Sequence, residues 1–161
     1  MIFPFIINLI IKSLGIMVYK QITLLLFCLV ISVIDCKKFI IPDFLLISLF
    51  STIFVFDCFL NPEIMLNHLL VSILILVVFL IIYKVTGGLG FGDVKFVTVL
   101  AYHYGFPLIC LVGLVASLSG ILFYLIYFFK VRKMDYKIPF APCLSFACFV
   151  IFILGFFVPG I

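Results

Sequence analysis

The sequence predicts an all-α fold, a polytopic membrane helical bundle with six core transmembrane helices plus one extra N-terminal hydrophobic helix. Three observations carry this expectation. Of the 161 residues, 68% are apolar and only 10% charged, against roughly 45–50% and about 25% in soluble domains. The apolar residues form runs of the length, about 20 residues, that a helix needs to cross a hydrocarbon core of roughly 30 Å. The few charges gather between these runs. No polar linker or low-complexity tail divides the chain, so residues 1–161 read as a single integral membrane domain.

Seven apolar segments are expected, over 2–19, 21–38, 41–60, 64–83, 93–106, 107–129 and 140–158. The first, opened by "MIFPFIINLIIK", lacks a basic region ahead of its apolar run and a small-residue cleavage pattern after it. It is therefore expected to stay as a helix and not to be removed as a signal peptide. Pro42 opens the third segment and "NPE", Asn61 to Glu63, the fourth, because proline fits the first helical turn and pushes the preceding residue out of α geometry. Gly105 and Pro107 part the fifth from the sixth. The stretch "KVRKMDYKIP", residues 130–139, is the one distinctly polar and basic loop.

Threaded alternately through a bilayer, these segments put Lys37, Lys38, Lys84, Lys95, Lys130, Arg132, Lys133 and Lys137 on one side, eight of the ten basic residues. The positive-inside rule makes that side cytoplasmic, in a cell (inner) membrane. Lys20, Asp57, Glu63, His68 and His103 fall on the other side. This arrangement accounts for the net charge of +4, and nucleic acid is not expected as a partner. The six cysteines, Cys28, Cys36, Cys58, Cys110, Cys143 and Cys148, form no C-x-x-C pair and lie mostly inside apolar runs. They read as small hydrophobes, and neither metal nor cofactor is expected.

Of six carboxylates, Asp35, Asp43, Asp93 and Asp135 fall on the cytoplasmic side. Asp135 sits among Arg132, Lys133 and Lys137 and reads as a solvated charge. Asp43, one residue after Pro42, is favoured by the macrodipole of the helix it opens. Asp93 follows "GGLGFG" and on local grounds reads as an N-cap. Asp35 has no such account, because it ends the run "LLLFCLVISVI" at a helix C-terminus, where the dipole disfavours a carboxylate. If that segment enters the membrane near Gln21, Asp35 lies only about 21 Å along a core of about 30 Å. An ionisable group at that depth is a functional-site hypothesis by default.

The fifth segment repeats the anomaly. From Asp93 to Gly105 it offers only about 20 Å of helix, too little to span unless it begins below the surface. The glycine link Gly87 to Gly92 would then line a cavity, since non-helical backbone at that depth must be covered by protein or face water. Asp35 and Asp93 would share one depth and one side. Two carboxylates at close range cannot both ionise easily, so one acid and one base coexist: the base activates a water and the acid protonates the scissile carbonyl or the leaving amine. The glycines allow close approach of a substrate backbone, and an extended segment is expected to add beside "GLGFG". No Cys–His pair can be built, with His68 and His103 on the opposite side, and no G-x-S-x-G elbow exists.

These residues resemble the type IV prepilin (leader) peptidases, including the preflagellin peptidases, which are membrane-embedded aspartic proteases. "IDCKKFIIPD" is similar to the family's first motif, an aspartate followed seven residues on by the proline of an Ile-Pro pair, here Asp35 and Pro42. "GGLGFGDVKF" is similar to its Gly-x-Gly-Asp motif with a following lysine, here Gly90, Gly92, Asp93 and Lys95. "KIPFAPCLSFA", residues 137–147, resembles the opening of a late helix, with Ala141 where a glycine is expected.

The resemblance covers residues 21–158 as a peptidase core and leaves 1–20 as an extra N-terminal hydrophobic segment. It implies Asp35 and Asp93 as the catalytic pair, with Gly90, Gly92, Lys95, Asp43 and Pro42 on the substrate side. The implied partner is a pilin-like precursor held in the bilayer, cut at its basic leader just outside its apolar helix. Many bacterial members carry an N-terminal extension with paired cysteines and also N-methylate the product; without one, peptidase activity alone is expected here. A presenilin-like protease fits less well, since Ile34 precedes Asp35 and "APC" stands where Pro-Ala-Leu is usual. A small transporter or channel using Asp35 and Asp93 as an ion or proton site predicts acids near the midplane and an internal repeat, and neither is seen. An inert assembly subunit leaves two buried aspartates without a purpose.

Overall fold

In the computed structural model, residues 2–60, 62–131 and 139–157 are described, and all their regular structure is helical. The elements are α1 (Ile2–Lys38), α2 (Asp43–Leu60), α3 (Pro62–Thr86), α4 (Phe91–Val131) and α5 (Ala141–Phe157). The basic loop that was expected at 130–139, with Arg132, Lys133, Asp135 and Lys137, lies largely outside the described residues.

The structure departs from the expected six-plus-one helix count. The first two segments form one helix, α1, with no break near residue 20. Nothing in "VYKQIT" can end a helix: it holds no proline or glycine, and Lys20 and Gln21 are good helix formers. Hydropathy alone invited the division, because Lys20 and Gln21 interrupt the apolar run without interrupting the backbone.

The expected break between the fifth and sixth segments is present, inside α4. Gly105 takes φ 70° and ψ −179°, a region open essentially only to glycine, and Pro107 follows two residues on. The contacts on either side show how far the chain turns. Asp35 and Asp93 line one cavity; the Ala141 amide reaches Asp35; and Cys143 Sγ lies 3.8 Å from where a β-carbon of Gly120 would stand. A straight α4 would separate Asp93 from Gly120 by roughly 40 Å. The second limb therefore doubles back along the first, and α4 is a helical hairpin.

The other helix ends have local causes. The Pro42 carbonyl accepts hydrogen bonds from Leu45 and Leu46 at 3.1 and 3.4 Å, so α2 begins one residue after the proline with Asp43 in its first turn. Pro62 and Glu63 open α3. Gly87, at φ 59°, closes it with its amide on the Tyr83 carbonyl at 3.1 Å, a left-handed cap that glycine adopts without strain.

Helix α1 packs on α2 and α5, while α4 packs on α2, α3 and α5, so α5 closes the ring between α4 and α1. Within it lie Leu24, Ile31, Leu49, Phe96, Tyr102 and Leu144, each at most 2% exposed. The outer surface is as apolar as the core: Leu29, Phe44, Phe59, Leu70, Val77, Leu118 and Phe123 are exposed. Three helical stretches, Val18–Lys38, Pro62–Thr86 and Phe91–Ile126, the last of them folded into the hairpin, have the length and hydropathy to cross a membrane. Apolar side chains outside as well as inside are what a bilayer solvent selects, and they mark the chain as a membrane protein.

Candidate active site

The end of α1, the starts of α2 and α4, and the start of α5 meet at one end of the bundle. Here α1 stops because Phe39 enters the left-handed region at φ 52° while its amide bonds the Asp35 carbonyl at 2.8 Å. A bulky residue rarely adopts that backbone, which costs of order 1–3 kcal/mol. The turn throws residues 39–42 across the end of the bundle as a non-helical linker into α2.

Beneath the linker is a cavity of about 470 Å³. Its walls include Asp35, Pro42 and Asp43 from one side and Gly90, Gly92, Asp93 and Lys95 from the other. All seven site residues expected from the sequence thus border one space. Phe39, Ile40, Ile41 and Phe91 complete the lining; sequence reasoning did not single these out, and their apolar character carried no signal in so apolar a chain.

Asp35 is only 5% exposed and accepts a hydrogen bond on Oδ2 from the Ala141 amide at 3.2 Å. That amide opens α5, whose first turn is closed by Cys143 and Leu144 donating to the Phe140 carbonyl. The carboxylate that sits unfavourably at the C-terminus of α1 is thus met by the N-terminus of α5, where a helix dipole favours negative charge. The late "PFAPC" stretch contributes a backbone donor and no side chain to this contact, which no local pattern announces.

Asp93 is half-buried and is not an N-cap. Helix α4 starts at Phe91, and the Gly90 carbonyl accepts from the Asp93 and Val94 amides at 3.1 and 3.3 Å, so Gly90 holds the cap position. From the first turn the Asp93 side chain folds back toward the Gly90 backbone, as the acidic member of a capping box does. The two carboxylates interact electrostatically across the cavity.

Lys95 bonds both oxygens of Asp43 at 2.7 and 2.8 Å and lies 4.6 Å from the centre of the Phe91 ring. It ties α2 to α4 at the exposed rim of the cavity, a pairing that the sequence did not reveal. A second group of polar contacts lies at the opposite end of the bundle. Lys20 pairs with Asp57; Gln21 bonds Tyr104 at 2.9 Å and His103 at 2.6 Å; and His68 approaches Gly105. Among the described residues no group of His, Cys, Asp and Glu could hold a metal ion.

An apolar helical bundle that brings two acidic side chains to one open cavity at its end has the parts of a membrane protein doing acid–base chemistry. The sequence between residues 22 and 126 matches the model of the type IV leader peptidase family, and the chain belongs to that family, whose members are proteases of the aspartic type. The match includes Asp35 and Asp93 and ends ahead of α5. No curated protein and no solved structure matches the chain.

Proposed function

We propose that the protein is a membrane-embedded aspartic endopeptidase that removes the basic leader from type IV pilin-like precursors, with Asp35 and Asp93 as its catalytic pair. The observation that carries this reading is the convergence of the two acids on one cavity from helices 58 positions apart in sequence. In the reaction, the ionised carboxylate takes a proton from a water whose oxygen attacks the scissile carbonyl carbon. The protonated carboxyl gives its proton to the carbonyl oxygen; collapse of the tetrahedral intermediate then sends a proton to the departing amine nitrogen. The Ala141 amide steadies Asp35, and the start of α4 steadies Asp93.

The precursor crosses the bilayer beside the enzyme, and its leader lies at the end of the bundle that bears Lys37, Lys38 and Lys84, the cytoplasmic side by the positive-inside rule. An extended stretch of leader enters between the 39–42 linker and the 88–92 loop, with Pro42, Asp43 and Lys95 along its path. The test is cleavage of a pilin-like precursor in membranes by Asp35→Asn and Asp93→Asn variants. Each is expected to lose processing while accumulating normally. Full processing by either well-expressed variant refutes the catalytic pair.

A further inference from the structure

Glycines beside a catalytic cavity invite a role in admitting substrate, yet two of these are closed off by the protein's own atoms. A β-carbon at Gly90 would stand 2.8 Å from Asp93 Oδ2 and 3.7 Å from Cγ, closer than real β-carbons come. The collision arises because the Asp93 carboxylate folds back over the start of α4. At Gly92 the β-carbon would meet Ile41, at 3.1 Å from Cβ, 3.4 Å from Cγ1 and 3.6 Å from Cδ1. Ile41 is 7% exposed and belongs to the linker that leaves the helix of Asp35. Elsewhere there is room: a β-carbon at Gly113 would meet nothing within 4 Å, and one at Gly88 only the Thr86 carbonyl at 4.0 Å.

We propose that Gly90 and Gly92 are positioning residues for the catalytic pair, each with a separate task. Gly90 leaves the space into which the Asp93 carboxylate folds, and so sets its direction. Gly92 lets Ile41 seat the 39–42 linker directly on the first turn of α4, and so sets how closely the Asp35 end of α1 approaches Asp93. A methyl group at Gly90 turns the carboxylate away; one at Gly92 pushes the linker outward by a few tenths of an ångström. This inference rests on the peptidase reading above and adds to it the source of the pair's geometry. Misplacement of reacting groups by 1 Å costs about 10²-fold in rate, so displacements of a few tenths of an ångström cost about fourfold.

The experiment measures kcat and KM for a pilin-like precursor with Gly90→Ala, Gly92→Ala, Ile41→Gly and both double variants, using Gly113→Ala as a control and Asp35→Asn and Asp93→Asn in parallel. Gly90→Ala and Gly92→Ala are each expected to lower kcat about fourfold or more with KM within about twofold. Ile41→Gly removes the β-carbon that stands 3.1 Å from the position of the new methyl group, together with the γ and δ carbons behind it, so it restores most of the kcat lost in Gly92→Ala and none of that lost in Gly90→Ala. If Gly92→Ala fails to accumulate, recovery of both accumulation and cleavage by adding Ile41→Gly supports the same conclusion. Unchanged kcat in both single variants, a rise in KM alone, or rescue of neither or of both by Ile41→Gly overturns it. Processing by the aspartate variants would instead overturn the peptidase reading itself.

Discussion

Replacing Ala141 by proline removes the amide hydrogen that the site uses and puts the ring Cδ in its place. Ala141 is the first residue of α5, and its amide is one of the orphan donors of a helix start. Proline is favoured at that position, its φ already suited to the helix. The first turn is held by Cys143 and Leu144 on the Phe140 carbonyl. The donor to Asp35 Oδ2 disappears, and Cδ, bonded to the same nitrogen, points at that oxygen, so the carboxylate must also swing away. A hydrogen bond to a charged group is worth about 1.5–3 kcal/mol. At 3.2 Å this one lies at the long end of the range, so about 1.5 kcal/mol is the least that is lost, or roughly a tenfold or greater loss in kcat if the bond is needed in the transition state. Cleavage of a pilin-like precursor in liposomes, with thermal unfolding in detergent as the check on folding, measures it. Ala141→Gly keeps the amide and is expected to keep most of the rate, losing only a fully buried methyl group. A Pro variant that unfolds at the wild-type temperature and cleaves at the wild-type rate refutes the claim that this backbone contact steadies Asp35.

Two further outcomes concern the opposite end of the bundle. The Lys20–Asp57 pair has side chains 15% and 7% exposed, so Lys20→Met or Asp57→Asn alone strands the other charge; either is expected to destabilise by about 3–5 kcal/mol, and the double replacement to recover part of that in thermal unfolding. Gly105→Ala meets a backbone region closed to other residues and the His68 ring at 3.0 Å. A loss of at least about 1–3 kcal/mol is expected, and adding His68→Ala should leave most of it, because the strain lies in the backbone.

What the sequence disclosed depended on whether the cause was local. Pro42, Pro62, Gly87 and the Gly105–Pro107 pair each act on their own backbone, and the helix ends fell near the expected places. The continuity of α1 was missed because a charged residue breaks a hydropathy profile without breaking a helix. Asp35 and Asp93 could be singled out because each sat where its helix did not explain it. Their shared cavity followed from motif order and membrane depth. Contacts between distant segments stayed hidden: Asp35 with Ala141, Lys95 with Asp43, and Gly92 with Ile41 join residues whose nearness depends on how α1, α2, α4 and α5 pack. The reading of Asp93 as a cap failed by three residues, since Gly90 supplied the cap and released the carboxylate for the cavity.

The unbroken run of α1 gives the two ends of the molecule a common shaft. Gln21, Cys28 and Asp35 recur every seventh residue and face the same way; the first is gripped by Tyr104 and His103, the second is buried, and the third meets Ala141. A side-chain atom roughly 6 Å from the helix axis travels about 1 Å when the helix turns by about 10°. A turn of that size, were Gln21 to lose its partners, would shift Asp35 by about 1 Å at a distance of about 21 Å along the same rod. On the peptidase reading, Gln21→Ala is therefore expected to lower the rate of cleavage more than it lowers the unfolding temperature.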